Sequence, residues 1–374
     1  MTAPRVAILG SRGIPARYGG FETFVEELAP RLVQRGAEVT VFCERSPGPA
    51  PTAYRGVRLE HVPAEAPGPL RTLAYDVRCL WRARRGFDVV YMLGYGASFA
   101  CFLPRLAGSQ VWINMDGLEW RRSKWRAHAR AWLWTMEALA GRAATRLVFD
   151  NGALADEVLG RRRWRRVEHS VLAYGAPAVR EPAPASALPP GLKPDGYDLV
   201  LCRCEPENHV VELVRAHARS GIPRPLAVVA NTDAGTPYCA EVLQWRGDHV
   251  RFTGPIYEPE VVRALRSHCR LYLHGHSVGG TNPSLIEAMG CGTFVIAHDN
   301  PFNREVLGSA GLYFGGDTPL RAALEAAEAT GPEERRARGE AARERVERHY
   351  AWEAIADRYA ALLGEATSRA GAAA

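Results

Sequence analysis

The chain opens on an unbroken apolar run, "RVAILG" (5–10), and then breaks into the aperiodic, glycine-rich "SRGIPARYGG" (11–20). Next, Phe24, Val25, Leu28, Leu32 and Val33 recur at three- and four-residue spacing, which predicts an amphipathic helix over 21–36 with Gly36 as its stop. A second apolar run, "AEVTVFCE" (37–44), follows it. Strand, loop, helix, strand is a βαβ unit, and right-handed crossover makes its strands parallel. Further strands are predicted at 57–62, 88–94, 110–115 and 144–150, with helices between them.

The alternation stops at 177–194, "PAVREPAPASALPPGLKP", whose proline and alanine content reads as a linker. It then restarts, with strands predicted at 197–203, 225–231, 250–254, 270–275 and 293–298. Helices are predicted near 207–219, 258–268 and 283–290, and over the charged stretch 332–366. The whole pattern predicts an α/β fold of two Rossmann-like, doubly wound domains facing each other across a cleft. The divisions are 1–175, a linker over 176–195, 196–350, and 351–374 as a C-terminal helix and tail returning to the first domain. Ligands of such sheets sit at the carboxyl ends of the strands.

Composition narrows the class. A hydrophobic fraction of 47% with 24% charged residues is that of a globular protein, and 374 residues suit two domains. No apolar run has the length of a membrane span, and "MTAPRVAILG" lacks the blocks of a signal peptide. Eight cysteines are too few for a disulfide scaffold, and Cys202 and Cys204 read as core residues on one face of a strand. A cytoplasmic location is the expectation. The net charge of +6 concentrates in "WRRSKWRAHAR" (120–130) and "RRRWRR" (161–166). Basic residues interleaved with tryptophan suit an anionic membrane surface, which predicts peripheral attachment at the inner face of the plasma membrane; a solvated helix face is the alternative. No nucleic-acid-binding motif accompanies the charge, so nucleic acid is not the expected partner.

Three loops carry candidate chemistry. "GSRGIPARYGG" is neither a GxGxxG fingerprint nor a Walker loop, but its late Gly19–Gly20 pair opens a helix and can approach an anion. "GHSVGGTNPSLIEAMGCG" (275–292) follows a strand and places Pro283 in the first turn of a helix, whose amides would face an anionic ligand. Gly279 and Gly280 permit close backbone approach, and Glu287 extends from one turn inside that helix, an exposed helix acid being its alternative. In "LVLCRCEPEN" (199–208), Arg203 stands at a strand end where it can clamp a diphosphate, or pair with Glu205 or Glu207.

These residues resemble glycosyltransferase family 4, retaining enzymes of the GT-B fold. "PARYGGFETFVEELAPRLVQRGAEVTVF" is similar to that family's P-x-x-GG-x-E…LA…L…RG-x-EVTV opening, and "YAWEAIADRY" to its last helix, which crosses back to the first domain. "GIPARYGGFETFVEELA", "MDGLEWRRSKW", "EPEN" and "GHSVGGTNPSL" together resemble the rhamnosyltransferase branch of bacterial polysaccharide assembly. The resemblance implies transfer of L-rhamnose from dTDP-rhamnose to a sugar on a polyprenyl-diphosphate lipid. A helix N-terminus and an arginine can stabilise the leaving diphosphate without metal, and no DxD stands at a strand end, so no metal or other cofactor is expected. It implies donor contacts at Gly19, Gly20, Arg203, Asn208, Ile256, Tyr257, His276, Gly279, Gly280, Thr281, Asn282 and Glu287, the base being gripped near Ile256 and Tyr257. Three positions depart from the family pattern. Gly279 stands where a glutamate is usual, Asn208 where a lysine is usual, and Asp116 where many relatives have histidine. Arg203, the helix N-terminus and His276 would then offset the missing lysine charge. Asp116, Arg203 and Glu287 are the expected catalytic residues. Asp116 would position or deprotonate the acceptor, and would be the only carboxylate at a strand end of the first domain aimed at the cleft; a helix N-cap is its alternative role. Another UDP- or GDP-sugar donor, or a sugar-nucleotide epimerase or hydrolase, is the alternative function, and a nucleic-acid-binding protein a remote one.

Overall fold

The structure is a computed structural model that describes residues 3–16, 19–46, 48–65, 70–122, 124–162, 167–233 and 235–373. It divides into two compact units: Met1–Arg121, Trp125–Tyr174 and Trp352–Ala374 form the first, and Arg122–Lys124 with Gly175–Ala351 form the second.

The first unit runs β1 (Arg5–Leu9), α1 (Gly20–Gln34), β2 (Glu38–Glu44), β3 (Ala53–Tyr54), β4 (Val57–Val62), α2 (Leu70–Arg82), β5 (Val89–Leu93), α3 (Phe102–Leu106), β6 (Gln110–Asn114), α4 (Ala127–Ala143), β7 (Arg146–Phe149), α5 (Gly152–Arg162) and β8 (Glu168–Val171). Its sheet has the order β3-β4-β2-β1-β5-β6-β7-β8, parallel except for the β3–β4 pair. Central strands such as "VVYML" are buried at every position because helices cover both faces, which is why the apolar runs are unbroken.

The second unit runs β9 (Asp198–Leu201), α6 (Val210–Ala218), β10 (Leu226–Val229), α7 (Pro237–Leu243), β11 (Val250–Phe252), α8 (Pro259–His268), β12 (Leu271–His274), α9 (Pro283–Gly290), β13 (Val295–His298), α10 (Pro301–Leu307), β14 (Leu312–Phe314), α11 (Leu320–Ala329) and α12 (Pro332–His349). The sheet order is β11-β10-β9-β12-β13-β14, all parallel. Among the parallel strands of each sheet the order reverses once, beside β1 in the first and beside β9 in the second; the antiparallel β3 is added at the edge of the first.

The helix expected over 332–366 is two helices. It breaks at Tyr350–Ala351, where α12 of the second unit gives way to α13 (Trp352–Ala373) of the first. Ile355, Ala356, Tyr359 and Leu363 form a buried stripe along α13. Tyr359 meets the Tyr91 hydroxyl at 2.9 Å, and Arg35, which caps the C-terminus of α1, binds Asp357 and Glu353 at 2.7 and 2.8 Å. The proline-rich stretch after Tyr174 lies on the second unit: the Val179 N–H donates to the Gly290 carbonyl at 2.8 Å, and the Asp195 N–H to that of His268 at 2.9 Å.

The strand expected over 197–203 ends at Leu201, so Cys202 and Cys204 lie in the following loop, partly buried against the core, rather than on a strand face. All eight cysteines are free. No helix among the described residues is long and apolar enough to cross a membrane.

Candidate functional site

In the second unit, β9 and β12 are the neighbours between which the sheet changes direction, and the loops leaving their carboxyl ends hold most of the expected residues. The two loops are tied together. Ser277 donates to the Glu207 carbonyl through both N–H and Oγ, each at 3.0 Å. A Cβ on Gly275 would run into the Asn208 carbonyl, so glycine is what lets the loops touch.

Within the first loop the Arg203 side chain is 49% exposed and, among the described residues, meets only the Glu205 carboxylate, loosely, at 3.5 Å. Asn208 does not extend toward a ligand as a lysine substitute would. It is buried, and its amide donates to the Arg203 carbonyl at 2.8 Å, which fixes the curve of the loop. The charge missing at position 208 is therefore not replaced by that side chain.

The second loop also differs from expectation. The first turn of α9 does not present free amides: Pro283 has none, the Asn282 side chain accepts from the Ser284 N–H at 2.9 Å, and the Asn282 carbonyl takes the Leu285 N–H at 3.0 Å. Asn282 is thus the helix cap. Among the described residues, the N–H groups of Gly279 and Gly280 have no hydrogen-bond partner. Gly279 has φ 129°, in the region that favours glycine, and Thr281 beside it is buried. The anion-binding capacity lies in the loop rather than in the helix that follows it.

Glu287 is neither a free acid nor a plain exposed one. Its carboxylate meets Arg266 of α8 at 2.6 Å, with Arg266 only 8% exposed in its side chain and Glu287 31%. Burial opposes the Arg266 charge most strongly, and Glu287, together with Tyr272 and Cys291, more than offsets that, leaving the guanidinium pKa raised. Arg266 also reaches Ser284 Oγ at 3.3 Å, and Ser284 meets the Tyr272 hydroxyl at 2.6 Å.

His276 cannot supply the positive charge asked of it. Burial, then the stacked His274, then Arg203 hold its pKa well below the ordinary histidine value, so the ring is neutral. The His274 and His276 rings stack at 4.4 Å, and His209 stacks on His298 at 4.6 Å. Burial pushes His274 down to about 3. Among the described residues no group of three or more His, Cys, Asp or Glu is arranged to hold a metal ion. Ile256 and Tyr257 follow β11 at the same carboxyl edge, with Tyr257 exposed and its N–H donating to Glu258 at 3.2 Å.

In the first unit, Gly19 is the N-cap of α1 with φ 117°, and Gly20 is the first helical residue. A Cβ on Gly19 would strike the Glu22 carboxylate, which accepts from the Arg12 N–H at 2.7 Å, so Gly19 serves the loop's own geometry. The preceding Arg17 and Tyr18 lie outside the described residues. Asp116 follows β6 with φ 28°, and its N–H donates to Asn114 Oδ1 at 2.9 Å. It is no helix cap, since α4 begins only at Ala127 and is preceded by Arg126. Nor is it alone: Asp150, buried at 3%, follows β7, and Glu44 ends β2 paired with Arg12 and Arg71. Asp150 was concealed because "RLVFD" reads as one strand; the Asn151–Gly152 pair that opens α5 was the available signal.

Residues 211–361 match a family described as glycosyl transferase-like, and residues 3–177 match a domain family of unknown function, DUF1972. No curated protein matches the chain. Among solved structures, a sucrose-phosphate synthase from Thermosynechococcus elongatus superposes with a TM-score of 0.82 at 21% identity, over 98% of this chain and 100% of that one. HepE from Anabaena, solved with UDP and glucose, has a TM-score of 0.73 at 15% identity, over 97% and 100%. An α,α-trehalose 6-phosphate synthase from Burkholderia multivorans has a TM-score of 0.73 at 15% identity, over 100% and 98%. At these identities the likeness is one of fold, and the fold is GT-B. With the glycosyl transferase-like match over 211–361, it supports a glycosyltransferase.

Proposed function

We propose that the chain is a retaining, metal-independent glycosyltransferase that moves L-rhamnose from dTDP-rhamnose onto a lipid-linked sugar during cell-surface polysaccharide synthesis. The observation that carries this reading is the pair of unpartnered N–H groups at Gly279–Gly280, on a loop tied to the one that presents Arg203. Together they form a cradle for the diphosphate, whose negative charge grows as the sugar leaves. In the reaction the bond from the anomeric carbon to the diphosphate oxygen breaks, and one to the acceptor oxygen forms on the same face. The acceptor proton passes to a phosphate oxygen, with Asp116 orienting the acceptor hydroxyl. Glu287, steadied by Arg266, holds a hydroxyl of the nucleotide, and the loop at Ile256–Tyr257 receives the base. An uncharged floor at Gly279 suits a 6-deoxy sugar. A UDP-hexose donor is the second reading, because HepE was solved with UDP-glucose.

The test is release of dTDP from dTDP-rhamnose with and without a lipid-linked disaccharide acceptor, in the native protein and in Asp116→Asn. Acceptor-dependent release that falls at least about a hundredfold in Asp116→Asn supports the reading. Equal release without acceptor indicates a hydrolase and overturns it.

A further inference from the structure

Large apolar side chains that stay exposed are not scattered over this molecule. Among the described residues, Leu70, Trp81, Phe99, Leu106, Trp132 and Trp134 lie on α2, the 3-10 turn Ser98–Cys101, α3 and α4, all helical elements of the first unit; Tyr257 is the exception. The elements adjoin. Phe99 meets Trp132 edge to face at 5.9 Å, Trp132 Nε1 donates to the Gly96 carbonyl at 3.1 Å, and Arg105 of α3 donates to the Ala144 carbonyl at 2.9 Å. Leu106 is 85% exposed. The first half of α4 stands clear of the core: Ala127, His128, Arg130, Ala131, Trp132, Trp134 and Thr135 are exposed, and the buried residues begin at Met136. Trp132 and Trp134 leave the helix in nearly opposite directions, so its apolar surface is not one stripe awaiting a partner helix.

The charge on this surface has one sign. The only acids on α2, α3 and α4 are Asp76 and Glu137, and both are buried. The arginines of α2 are offset by acids of other elements, Arg71 by Glu44, Arg78 by Glu65 and Arg82 by Glu60. Arg121 is paired with Glu157 at 2.5 Å. The basic excess therefore lies with Arg105, Arg126, Arg130 and Arg142, all exposed. The sequence pointed to 120–130, which holds Arg126 and Arg130, and to 161–166. There Arg161 and Arg162 are spent on buried Glu137, at 2.8 and 2.7 Å, and 163–166 lie outside the described residues.

We propose that the surface formed by Ser98–Cys101, α3 and α4 docks on an anionic lipid bilayer, with Phe99, Leu106 and Trp132 entering the headgroup layer and the arginines meeting lipid phosphates. Tryptophan suits that layer, having an apolar body and one polar N–H, and basic side chains supply the complementary charge. This does not depend on which donor sugar the second unit takes.

The test is co-sedimentation of the full chain with vesicles of phosphatidylcholine, with and without phosphatidylglycerol. Binding is expected only with phosphatidylglycerol, fading as salt is raised. Phe99→Ala/Trp132→Ala weakens it by about tenfold or more, and so does Arg130→Glu/Arg142→Glu. Leu106→Asp, at a site too exposed to unsettle the fold, weakens it in the same direction. Circular-dichroism melts and the thermal shift by nucleotide sugar confirm that each variant is folded and that its second unit is intact. Native-like binding by these variants, or no binding to phosphatidylglycerol vesicles, overturns the proposal. A dimer in light scattering that Leu106→Asp dissolves, without vesicle binding, would make the face an interface between copies. Vesicle binding displaced by random-sequence DNA would assign it to nucleic acid.

Discussion

The side chains at the candidate site are committed to one another before any ligand arrives. Glu287 is the only acid facing the buried Arg266 guanidinium in an ion pair among the described residues. Glu287→Ala therefore strands a buried charge and should cost about 3 kcal/mol or more of stability, whereas Glu287→Gln keeps a hydrogen-bond acceptor and costs less. Urea melts of the two variants check this, and Glu287→Gln is the one in which donor affinity can be read cleanly. Gly279 stands at the position where the resemblance to glycosyltransferase family 4 would place a glutamate. At φ 129° a side chain there would be strained, although the space around its Cβ is open. The histidines set a pH limit. With His274 held at about 3 when folded and near 6.5 when unfolded, the unfolded chain binds the extra proton between those values. Stability is thus complete above about pH 6.5 and falls by about 1.4 kcal/mol per unit as pH drops below it. His274→Phe, which keeps a ring in the stack, should flatten the fall in melting temperature between pH 7 and 5; an unchanged slope removes His274 as its source.

At the scale of elements, α13 is fastened to the first unit by its buried stripe, with Tyr359 against Tyr91 and Phe24. Tyr359→Ala should cost about 3–5 kcal/mol, read as a lower urea midpoint of the unit containing Tyr91; a shift within error would mean that the helix adds little. Long apolar runs and the helical spacing of α1, α8 and α9 made those elements legible in the sequence, because both follow from burial. Short edge elements were not legible. β8 reads "EHSV" and has exposed residues, and β14 is three residues long, so neither carries a period. Of the site, the glycines and Arg203 were visible because their chemistry is local. The pairing of Glu287 with Arg266, the inward turn of Asn208 and the capping by Asn282 were not, since each depends on a neighbour that only the fold supplies.

For the whole molecule, two sheets, the second parallel and the first parallel but for its edge strand β3, divide the expected work. The second unit carries most of the glycosyl transferase-like match and, among the described residues, the loop with unpartnered backbone N–H groups. The first carries Asp116 and the aromatic, basic surface of α3 and α4. The central claim is that Arg203 and the Gly279–Gly280 loop receive a nucleotide diphosphate sugar. Calorimetric titration of the native protein and of Arg203→Ala with dTDP-rhamnose, UDP-glucose and a GDP-sugar tests it most directly. Tightest binding of dTDP-rhamnose by the native protein is predicted, weakened by about tenfold or more in Arg203→Ala, the scale of a charge-assisted contact to phosphate. Equal affinity in both proteins, or no heat with any nucleotide sugar, would contradict it.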